Sequence, residues 1–339
     1  MKPTSPPPIR FIAHPGAGRG AFARVWPALS QALSDAGLAH EVLLTTRALE
    51  AADMARQAVR DGTRLVVAVG GDGTLHEVVN GLMTSGASGR ELPALGLVPA
   101  GRGSDYARGL GLPSDPVALV ARFAAAVAGD PAASHPVDVG EATYRASPRT
   151  AGRTTPPSPL PDEPPSDPQE PVVRYVINCA GIGFSPFVAQ RTARFPPRLG
   201  AYLYTAAALI TVIDWHDRAV DLHWADGQHE RRAVESIELA LGRYEGGGML
   251  VAPDADPSDG LFDAVIIGAI SRVELTTFSW RVRSGDHLRS PHVEVRRTAG
   301  LVVTVADERG PLYLQGDGEL LGRDPFAVRV LPSALRFVW

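Results

Sequence analysis

A glycine-rich turn with one carboxylate in its middle is the clearest place in this sequence to expect chemistry. The apolar run 65–69 leads into residues 70–74, which read GGDGT, and a helical pattern follows from about 75 to 83. Glycines allow a tight turn and a close approach of backbone to ligand, and free amides at a helix start favour an anion. In the alternative interpretation, Thr74 only caps the helix. Because Asp72 is held among glycines directly after an apolar strand, the pattern favours phosphate binding.

A second strand-to-turn pattern follows at residues 96–105. The strand ends in the glycine-rich segment 101–103, and Ser104 and Asp105 come directly after it. Either side chain is also a common helix cap, so this pattern by itself is less specific. Lys2 is the only lysine of the chain, which excludes a P-loop with its phosphate-binding lysine. A bound phosphate must therefore be held by backbone amides, arginine and a metal ion.

The composition of the chain limits the class of protein and its expected location. The 339 residues suffice for two domains, and a formal net charge of -4 gives no reason to expect nucleic-acid binding. The lone cysteine, Cys179, excludes internal disulfides and a Cys-rich zinc site. No apolar run reaches the ~20 residues that span a bilayer, and residues 1–8 lack the apolar core of a signal peptide. We therefore expect a cytoplasmic protein without a nucleic-acid partner.

Two kinds of pattern divide the chain. Up to about residue 130, strand-like runs alternate with helical runs, which predicts an α/β domain with a mostly parallel sheet. Beyond Pro136, short β-type runs between turn residues predict a β-sandwich, interrupted only by a helical stretch at 198–215. The strand-like runs are 9–13, 40–44, 65–69, 94–98, 172–178, 236–242, 264–267, 293–296 and 301–305, and the first helical runs are 21–36, 49–60 and 75–83.

Six short elements in order resemble the diacylglycerol kinase catalytic family, the bacterial lipid kinases related to sphingosine and ceramide kinases. The resemblance covers nearly the whole chain apart from a segment at 145–171 that is crowded with Pro, Ser, Thr and Asp. The elements read GGDGTLHEVVNG at 70–81, SDYAR at 104–108, GIGF at 181–184, GGG at 246–248, DGLFD at 259–263 and DGE at 317–319.

The resemblance implies a fold and an activity. An α/β nucleotide-binding domain would span 1–136 plus about 326–339, and a β-sandwich lipid-substrate domain would span 137–325, with the active site in the interdomain cleft. The proline-rich segment would be a disordered loop at about 146–171, with an interdomain linker as the weaker option. The implied reaction uses ATP and Mg²⁺ to transfer the γ-phosphoryl group to a lipid hydroxyl, with diacylglycerol as the expected acceptor and phosphatidic acid as the product. The implied partners are the nucleotide, a lipid at the inner membrane face and, as an option, a second copy of the chain.

Residue roles follow from the same resemblance. Asp317 or Glu319 would accept the substrate hydroxyl proton, and a carboxylate-water network would surround the catalytic magnesium. The expected residues are, for catalysis, Asp317, Glu319 and Asp72; for the catalytic magnesium, Asp72, Asp105 and Asp138; for a second, structural metal, Asp256, Asp259 and the Leu261 carbonyl; and for the nucleotide, His14, Pro15, Gly16, Ala17, Gly18, Thr46, Gly70, Gly71, Asp72, Gly73, Thr74, Leu75, His76, Glu77, Gly101 and Arg102.

Some positions depart from the family pattern. Arg102 and Ser104 stand where the family has Thr and Asn, and His14 and Ala17 stand where its first loop has Asn and Ser. Arg102 would either supply a charged phosphate contact or point to solvent. An inactive, lipid-binding homologue is the alternative that these departures leave open.

Other readings of the same patterns also stay open. NAD kinase shares the GGDGT loop but does not account for SDYAR and DGE. A dinucleotide-dependent oxidoreductase would fit G-x-G-x-x-A at 16–21, although residues 45–47 lack the acid that its fingerprint wants. A sphingoid or other lipid alcohol is an alternative acceptor. Arginines 191, 194 and 198 lie among aromatic residues and suit either a solvated face or contact with an anionic membrane surface.

Overall fold

The computed structural model describes residues 8–16, 18, 20–101, 103–145, 170–192, 210–211 and 215–339. These residues form two compact units. The first comprises the described residues up to Val139 together with Pro332–Trp339, and the second comprises those from Gly140 to Leu331. The predicted loop at 146–171 lies outside the described residues except for its last two positions.

The first unit alternates strands and helices. Its elements are β1 (Ile9–Ala13), α1 (Ala21–Asp35), β2 (His40–Leu44), α2 (Glu50–Arg60), β3 (Leu65–Gly70), α3 (Asp72–Met83), a 3₁₀ turn (Gly89–Glu91), β4 (Ala94–Pro99), α4 (Asp105–Gly109), α5 (Pro116–Ala128), a second 3₁₀ turn (Pro131–Ala133) and the start of β5 (His135–Arg145). β1 pairs in parallel with both β2 and β3, and β3 pairs in parallel with β4. The carboxyl ends of these strands therefore meet at one edge of the sheet.

The sheet of the first unit is covered on both faces. β1 and β3 are buried along their whole length, as expected for parallel strands made of continuous apolar runs. Phe11 packs edge-on against Trp26 and Phe123, which α1 and α5 supply. α2 and α3 pack closely at Gly81, where a Cβ would lie only 2.3 Å from the Ala52 carbonyl oxygen. This packing holds the start of α3 at the edge of the sheet.

The second unit consists mainly of antiparallel strands. Its elements are the end of β5, β6 (Pro171–Val176), β7 (Cys179–Gly183), α6 (Phe184–Thr192), β8 (Arg218–Trp224), β9 (His229–Ala240), β10 (Tyr244–Glu245), β11 (Met249–Leu250), β12 (Phe262–Gly268), α7 (Arg272–Ser284), a 3₁₀ turn (Asp286–Arg289), β13 (Val293–Thr298), β14 (Gly300–Val305), β15 (Tyr313–Gly316) and β16 (Glu319–Phe337). The last residues of β16 belong to the first unit, where Phe337 pairs in parallel with Leu95.

Six strands of the second unit pair in a closed ring. β9 pairs with β8, β8 with β14, β14 with β16, β16 with β15, β15 with β7, and β7 again with β9. The two long strands make this possible, because different segments of β9 and of β16 pair with different neighbours. The ring encloses apolar side chains that include Ile182, Leu222, Ile237 and Phe326. Closure removes exposed strand edges, which otherwise invite pairing with other chains.

Two helices in the second unit correct the sequence-based prediction. The prediction allowed only one helical interruption, at 198–215, and most of that range lies outside the described residues. α6 and α7 are helices that the β-type patterns did not predict. α7 buries Phe278 and Val282 and leaves Val273 and Trp280 exposed, so its apolar periodicity is broken on the outer face. Within the described residues no helix combines the length and apolar character needed to cross a membrane.

A buried ion pair fastens β8 to the loop that precedes β15. The Arg218 guanidinium donates to both oxygens of Asp307, at 2.8–3.1 Å, and also to the Gly310 carbonyl at 2.5 Å. Arg218 is 5% exposed. Its hydrogen bonds lower the pKa of Asp307 from the ordinary 3.8 to about 2. A carboxylate in this position stabilises the fold only while it is ionised.

We expect Asp307→Asn to lower the free energy of unfolding by about 2–4 kcal/mol, because it leaves the buried Arg218 without its carboxylate. In the unchanged protein the same contribution is fully present above pH 3.8, the ordinary pKa, and is lost as the pH falls through about 2. Urea unfolding of both chains at pH 7 and of the unchanged protein at lower pH measures these effects.

Asp221→Asn is the matched control, because Asp221 also pairs with an arginine of a neighbouring strand. Its partner, Arg231, is 67% exposed, so the loss should be much smaller than in Asp307→Asn. Equal losses in the two variants would show that burial of Arg218 does not matter.

Candidate functional site

Three turns meet at the carboxyl ends of β1, β3 and β4. A Cβ at Gly18 would lie 2.2 Å from the carbonyl oxygen of Ala100, which follows β4, and Gly18 has a φ of +55°. A Cβ at Gly101 would lie 2.4 Å from the Cα of Gly71, which follows β3. Only glycine fits at these contacts. The backbones of the three turns therefore lie close together and form a concave surface, which we call the cradle. Side chains at Gly18, Gly71 and Gly101 would fill it.

Asp72 joins two of these turns. Its carboxylate accepts hydrogen bonds from the amides of Asp105 and Tyr106, at 3.1 and 3.2 Å. These amides open the short helix α4, whose N-cap residue Ser104 has the left-handed φ of 48° and no capping side-chain bond. An acidic group at a helix N-terminus is stabilised by the amides and the helix dipole. Asp72 thus has a structural contact that the sequence did not reveal.

The helix after the GGDGT turn begins earlier than predicted. α3 starts at Asp72 rather than near Leu75, and its N-cap is Gly71. Thr74 therefore lies inside the helix and is not its cap, and its side chain covers Gly70, where a Cβ would lie 2.3 Å from the Thr74 hydroxyl. Glycine in a first turn is less costly than sequence propensity suggests, because this end of the helix is anchored by Asp72. The amides of the first helical turn lack acceptors within the helix.

Two threonines shape the turn after β2. The ring of His14 lies 2.9 Å (Nδ1 to Oγ1) from Thr45, whose amide binds the Ala13 carbonyl at 2.9 Å. The hydroxyl of Thr46 donates to Glu50 at 2.9 Å. Glu50 also accepts hydrogen bonds from the backbone amides of Thr46 and Arg47. The Thr46 amide, the Thr46 hydroxyl and the Arg47 amide together lower the pKa of the Glu50 carboxyl. His14 and Thr46 are thus held by residues at the end of β2 and the start of α2.

Three residues of the predicted nucleotide site are buried or hydrogen-bonded within α2 and α3. Leu75 and His76 are each 1% exposed, and the His76 carbonyl accepts from Asn80 at 2.9 Å. The Glu77 carboxylate accepts from the Ala51 amide at 3.3 Å and so holds the start of α2. The structure brings Gly18, Gly70, Gly71, Asp72, Gly73, Thr74 and Gly101 to the edge of the sheet, whereas Ala17 and Arg102 lie outside the described residues.

An unsatisfied hydroxyl lies in the cradle. Ser104 Oγ is buried and has no hydrogen-bond partner among the described residues, and it lies 3.2 Å from where a Cβ of Gly101 would be. Buried polar atoms without a partner are uncommon and mark places where a ligand or water completes the hydrogen bonding. Turns of free amides, a glycine cradle and this hydroxyl form a donor set that fits the phosphates of a nucleotide.

The carboxylates predicted for the catalytic magnesium each have a protein partner. Asp105 is 4% exposed and pairs with Arg108 at 2.8 Å. Asp138 is fully buried and accepts from the Ser333 amide at 2.7 Å. Among the described residues, these aspartates and Asp72 do not form a group of three carboxylates at direct-ligand distances. Mg²⁺ usually keeps several waters, so this donor set fits an ion held through water molecules.

In the second unit, Asp317 lies in a two-residue hairpin turn between β15 and β16. Asp317 and Gly318 both have positive φ, 51° and 87°, and Gly316 pairs with Glu319. The Asp317 carboxylate accepts three consecutive amides, from Ile177, Asn178 and Cys179, at 2.9–3.2 Å. The Asp-Gly pair forms the hairpin turn that was the alternative prediction, but the side chain of Asp317 is buried rather than exposed.

Glu319 has a different environment. It is partly exposed, and no described residue forms a hydrogen bond or ion pair with its carboxylate. The Gln315 side chain accepts from the Gly318 amide at 2.8 Å and donates to Glu245. The turn is therefore held by Asp317 on one side and by Gln315 on the other, while the Glu319 carboxylate keeps its acceptor positions.

The predicted structural metal site is a pair of turns in this structure. Asp256 accepts from the amide and hydroxyl of Ser258, at 2.9 and 2.7 Å. Asp259 accepts from the Leu261 amide at 3.0 Å and forms an ion pair with Arg297. Asp256, Asp259 and Leu261 thus lie in one loop, where Arg297 already compensates one of the two charges.

Sequence reasoning missed several residues that build these sites. Ala100, Asn178, Ser333 and Gln315 act through backbone groups or as neutral partners, and nothing in a single sequence marks them. Gly181 was identified in the sequence as part of the GIGF element, but no function was predicted for it. Tyr106 was part of SDYAR, and its amide rather than its side chain makes the contact with Asp72.

Two family models match the chain. Residues 8–142 match the diacylglycerol kinase catalytic domain, and residues 178–339 match the YegS C-terminal NAD kinase beta sandwich-like domain. The second match supports the predicted β-sandwich.

Curated relatives match over most of their length. The diacylglycerol kinase of Bacillus subtilis (strain 168) is 25% identical over 317 residues, which are 93% of this chain and 91% of the relative. A probable lipid kinase YegS-like from Xanthomonas oryzae pv. oryzae is 29% identical over 303 residues, which are 88% and 86% of the two chains. The crystal structure of a diacylglycerol kinase from Bacillus anthracis str. Sterne covers 98% of this chain and 96% of its own, with a TM-score of 0.63 at 17% identity. That likeness shows a shared fold.

We expect Asp72→Ala to lower the free energy of unfolding by about 1–3 kcal/mol, because two amides that bond to a charged group lose their acceptor. Thermal and urea unfolding followed by circular dichroism measure the loss. Asp35→Ala is the control, because Asp35 is exposed on α1 and binds only Gln31 among the described residues. It should change stability by less than about 0.5 kcal/mol. If Asp72→Ala is as stable as the control, the carboxylate does not fasten the two turns.

Proposed function

Because the chain belongs to the diacylglycerol kinase catalytic-domain family, we propose that it is an ATP-dependent lipid kinase that phosphorylates a lipid hydroxyl at a membrane surface. The observation that carries the proposal is the cradle formed by Gly18, Gly71 and Gly101, with Asp72 joining two of its turns. Diacylglycerol, giving phosphatidic acid, is the acceptor we propose first, because relatives that match nine-tenths of the chain carry that name.

The first unit would bind the phosphates of ATP. Free amides at the start of α3 and in the turn after β4 offer donors to phosphate oxygens, and the Ser104 hydroxyl adds another. Described arginines near these turns are engaged, since Arg47 pairs with Asp53 and Arg108 with Asp105. Phosphoryl transfer depends mainly on positioning and charge neutralisation. Mg²⁺ would neutralise phosphate charge when bound, and Asp72, Asp105 and Asp138 would hold its waters.

We assign the proton acceptor to Glu319 and a positioning role to Asp317. Both oxygens of Asp317 already accept amides of the turn after β6, whereas the Glu319 carboxylate has no bond to a described residue. As the acceptor hydroxyl attacks the γ-phosphorus, its proton passes to Glu319 and the bond from the γ-phosphorus to the oxygen of the ADP leaving group breaks. Asp317 keeps the turn in place, so that Glu319 is presented at the start of β16.

The kinase proposal is tested by supplying purified protein with γ-labelled ATP, Mg²⁺ and lipid alcohols in mixed micelles. We expect label in the lipid phase with diacylglycerol, a monoacylglycerol or a sphingoid base, and strongest incorporation with diacylglycerol. NAD is included as a water-soluble acceptor, because the C-terminal match is to a NAD kinase beta sandwich-like domain. Transfer to NAD alone would replace the proposal by NAD kinase activity. Binding of lipid without transfer to any acceptor would indicate an inactive homologue.

Glu319→Gln should lower kcat by about 10²–10⁴-fold with nearly unchanged ATP affinity and thermal stability, because a general base contributes in that range. Asp317→Asn should lower both kcat and the melting temperature, because it disturbs three amide bonds. Steady-state kinetics, calorimetric nucleotide titration and thermal unfolding separate these effects.

Glu308→Gln, on an exposed loop of the same unit, is the control and should match the unchanged protein. Wild-type kcat in Glu319→Gln would remove Glu319 from catalysis. An unchanged melting temperature in Asp317→Asn would contradict its positioning role.

A further inference from the structure

A polar pocket lies inside the second unit on three adjacent strands. Gly181 of β7 pairs with Glu238 of β9 on one side and with Gln315 of β15 on the other. A Cβ at Gly181 would lie 2.3 Å from Glu238 Oε2, 2.3 Å from the Ser185 hydroxyl and 2.6 Å from Gln315 Nε2. Polar groups of both neighbouring strands and of α6 therefore occupy the space that a side chain at this position would need.

Three potential metal ligands meet beside this space. The Sγ of Cys179 and one carboxylate oxygen each of Glu238 and Glu245 all lie within 4.8 Å of one another. The three residues are 1%, 6% and 8% exposed. Among the described residues, no other group of three such donors lies this close together. A carboxylate is costly to bury, and this cluster places two of them beside a buried thiol.

Neutral partners satisfy only part of this cluster. Glu238 Oε1 accepts from the Ser236 hydroxyl at 2.6 Å, and Glu245 accepts from Gln315. Glu238 Oε2 is buried without a hydrogen-bond partner, and so is the Ser185 hydroxyl, which lies close by but not in hydrogen-bonding geometry. No arginine or histidine among the described residues forms an ion pair with Glu238. A nine-tenths-buried carboxylate oxygen thus points into the pocket with nothing to bind.

Burial decides the protonation of the cluster when no ion is present. It raises the pKa of Glu238 well above its usual range, and the neighbouring Glu245 raises it further, against the opposing effect of the hydrogen bond from Ser236. Burial likewise raises the pKa of the Cys179 thiol, and both glutamates add to the effect. A metal ion binds the deprotonated forms of these groups, so its binding would compete with protons.

We propose that Cys179, Glu238 and Glu245 bind a thiophilic divalent cation of the Zn²⁺ type. Zn²⁺ takes thiolate at about 2.3 Å and carboxylate oxygen at about 2.0–2.2 Å in tetrahedral sites, so donor atoms there lie roughly 3.3–3.7 Å apart. The donors lie within 4.8 Å of one another, so binding would require them to approach by on the order of 1 Å through movement of the glutamate side chains. Binding releases the protons of Cys179 and Glu238 to solvent, and the Ser185 hydroxyl or a water completes the four ligands.

The surroundings suit a closed, structural site. Ala240 and Val265 of the sheet and Phe278 and Val282 of α7 form a buried apolar cluster together with Cys179. The Cys179 amide donates to Asp317, and Gln315 links Glu245 to the Gly318 amide. An ion at this place would therefore fasten β7, β9 and the hairpin turn to one another. The inference does not depend on the proposed kinase activity.

Cobalt is the probe that tests the site most directly. The chain contains a single cysteine, so a thiolate-to-Co²⁺ charge-transfer band can come only from Cys179. We expect protein expressed in cobalt-supplemented minimal medium, and washed with a weak chelator, to show this band with one equivalent of bound cobalt. The melting temperature should be higher than that of metal-free protein, because the ion binds the folded state.

Cys179→Ala should abolish the band, and Glu238→Gln should abolish it or weaken it at least tenfold. Glu235→Gln is the matched control. Glu235 lies on the same strand, is 3% exposed, and burial raises the pKa of its carboxyl to about 8, but it does not belong to the group of three donors. This variant should keep the full band. If Cys179→Ala does not fold, the comparison of Glu238→Gln with Glu235→Gln still tests whether Glu238 is a metal ligand.

Absence of the band from the unchanged protein would overturn the proposal. A band that persists undiminished in Glu238→Gln would show that the ligand set is wrong. Both readings are spectroscopic, so failure of the lipid kinase assay would not affect them.

Discussion

The contact between two backbones without side chains, Gly71 against Gly101, is the constraint on which the first unit depends. A Cβ at either position would meet the other glycine at 2.4–3.1 Å. The parallel pairing of β3 and β4 brings the two turns to the same edge, and Asp72 then binds the amides of the second turn. Loss of this contact would separate the donors that suit phosphate oxygens. The glycine content of the turns thus has a packing reason in addition to a binding reason.

In the second unit, backbone amides rather than glycines hold a turn in place. Asp317 is buried in a hairpin, where an isolated carboxylate would be costly, and three successive amides of another turn compensate it. Those amides belong to residues about 140 positions earlier in the chain. They come close because β15 pairs with β7 inside the closed ring of strands. The neighbouring Glu319 is left with free acceptor positions, which is the property that a proton acceptor requires.

Charge in this protein is balanced mostly by arginine and by backbone amides. Lys2 is the only lysine of the chain, and it lies outside the described residues. Arg10, Arg108 and Arg218 are each paired with acids in the same unit. The phosphates of a nucleotide would then rely on amides and a metal ion. The cluster of Cys179, Glu238 and Glu245 differs, because one carboxylate oxygen of Glu238 is buried without a hydrogen-bond partner among the described residues.

The sequence determined the local elements and the order of the chemical motifs. Apolar runs located β1 to β4 to within a residue, and GGDGT, SDYAR and DGE were recognised where the structure places the turns around Asp72, Asp105 and Asp317. The sequence did not determine α7, because Val273 and Trp280 break its apolar periodicity. It also could not reveal that α3 begins at Asp72, since the anchoring amides of Asp105 and Tyr106 lie 33 and 34 residues away. Burial of Asp317 and the meeting of Cys179 with two glutamates were decided by tertiary structure alone, because strand pairing between distant segments has no local signature.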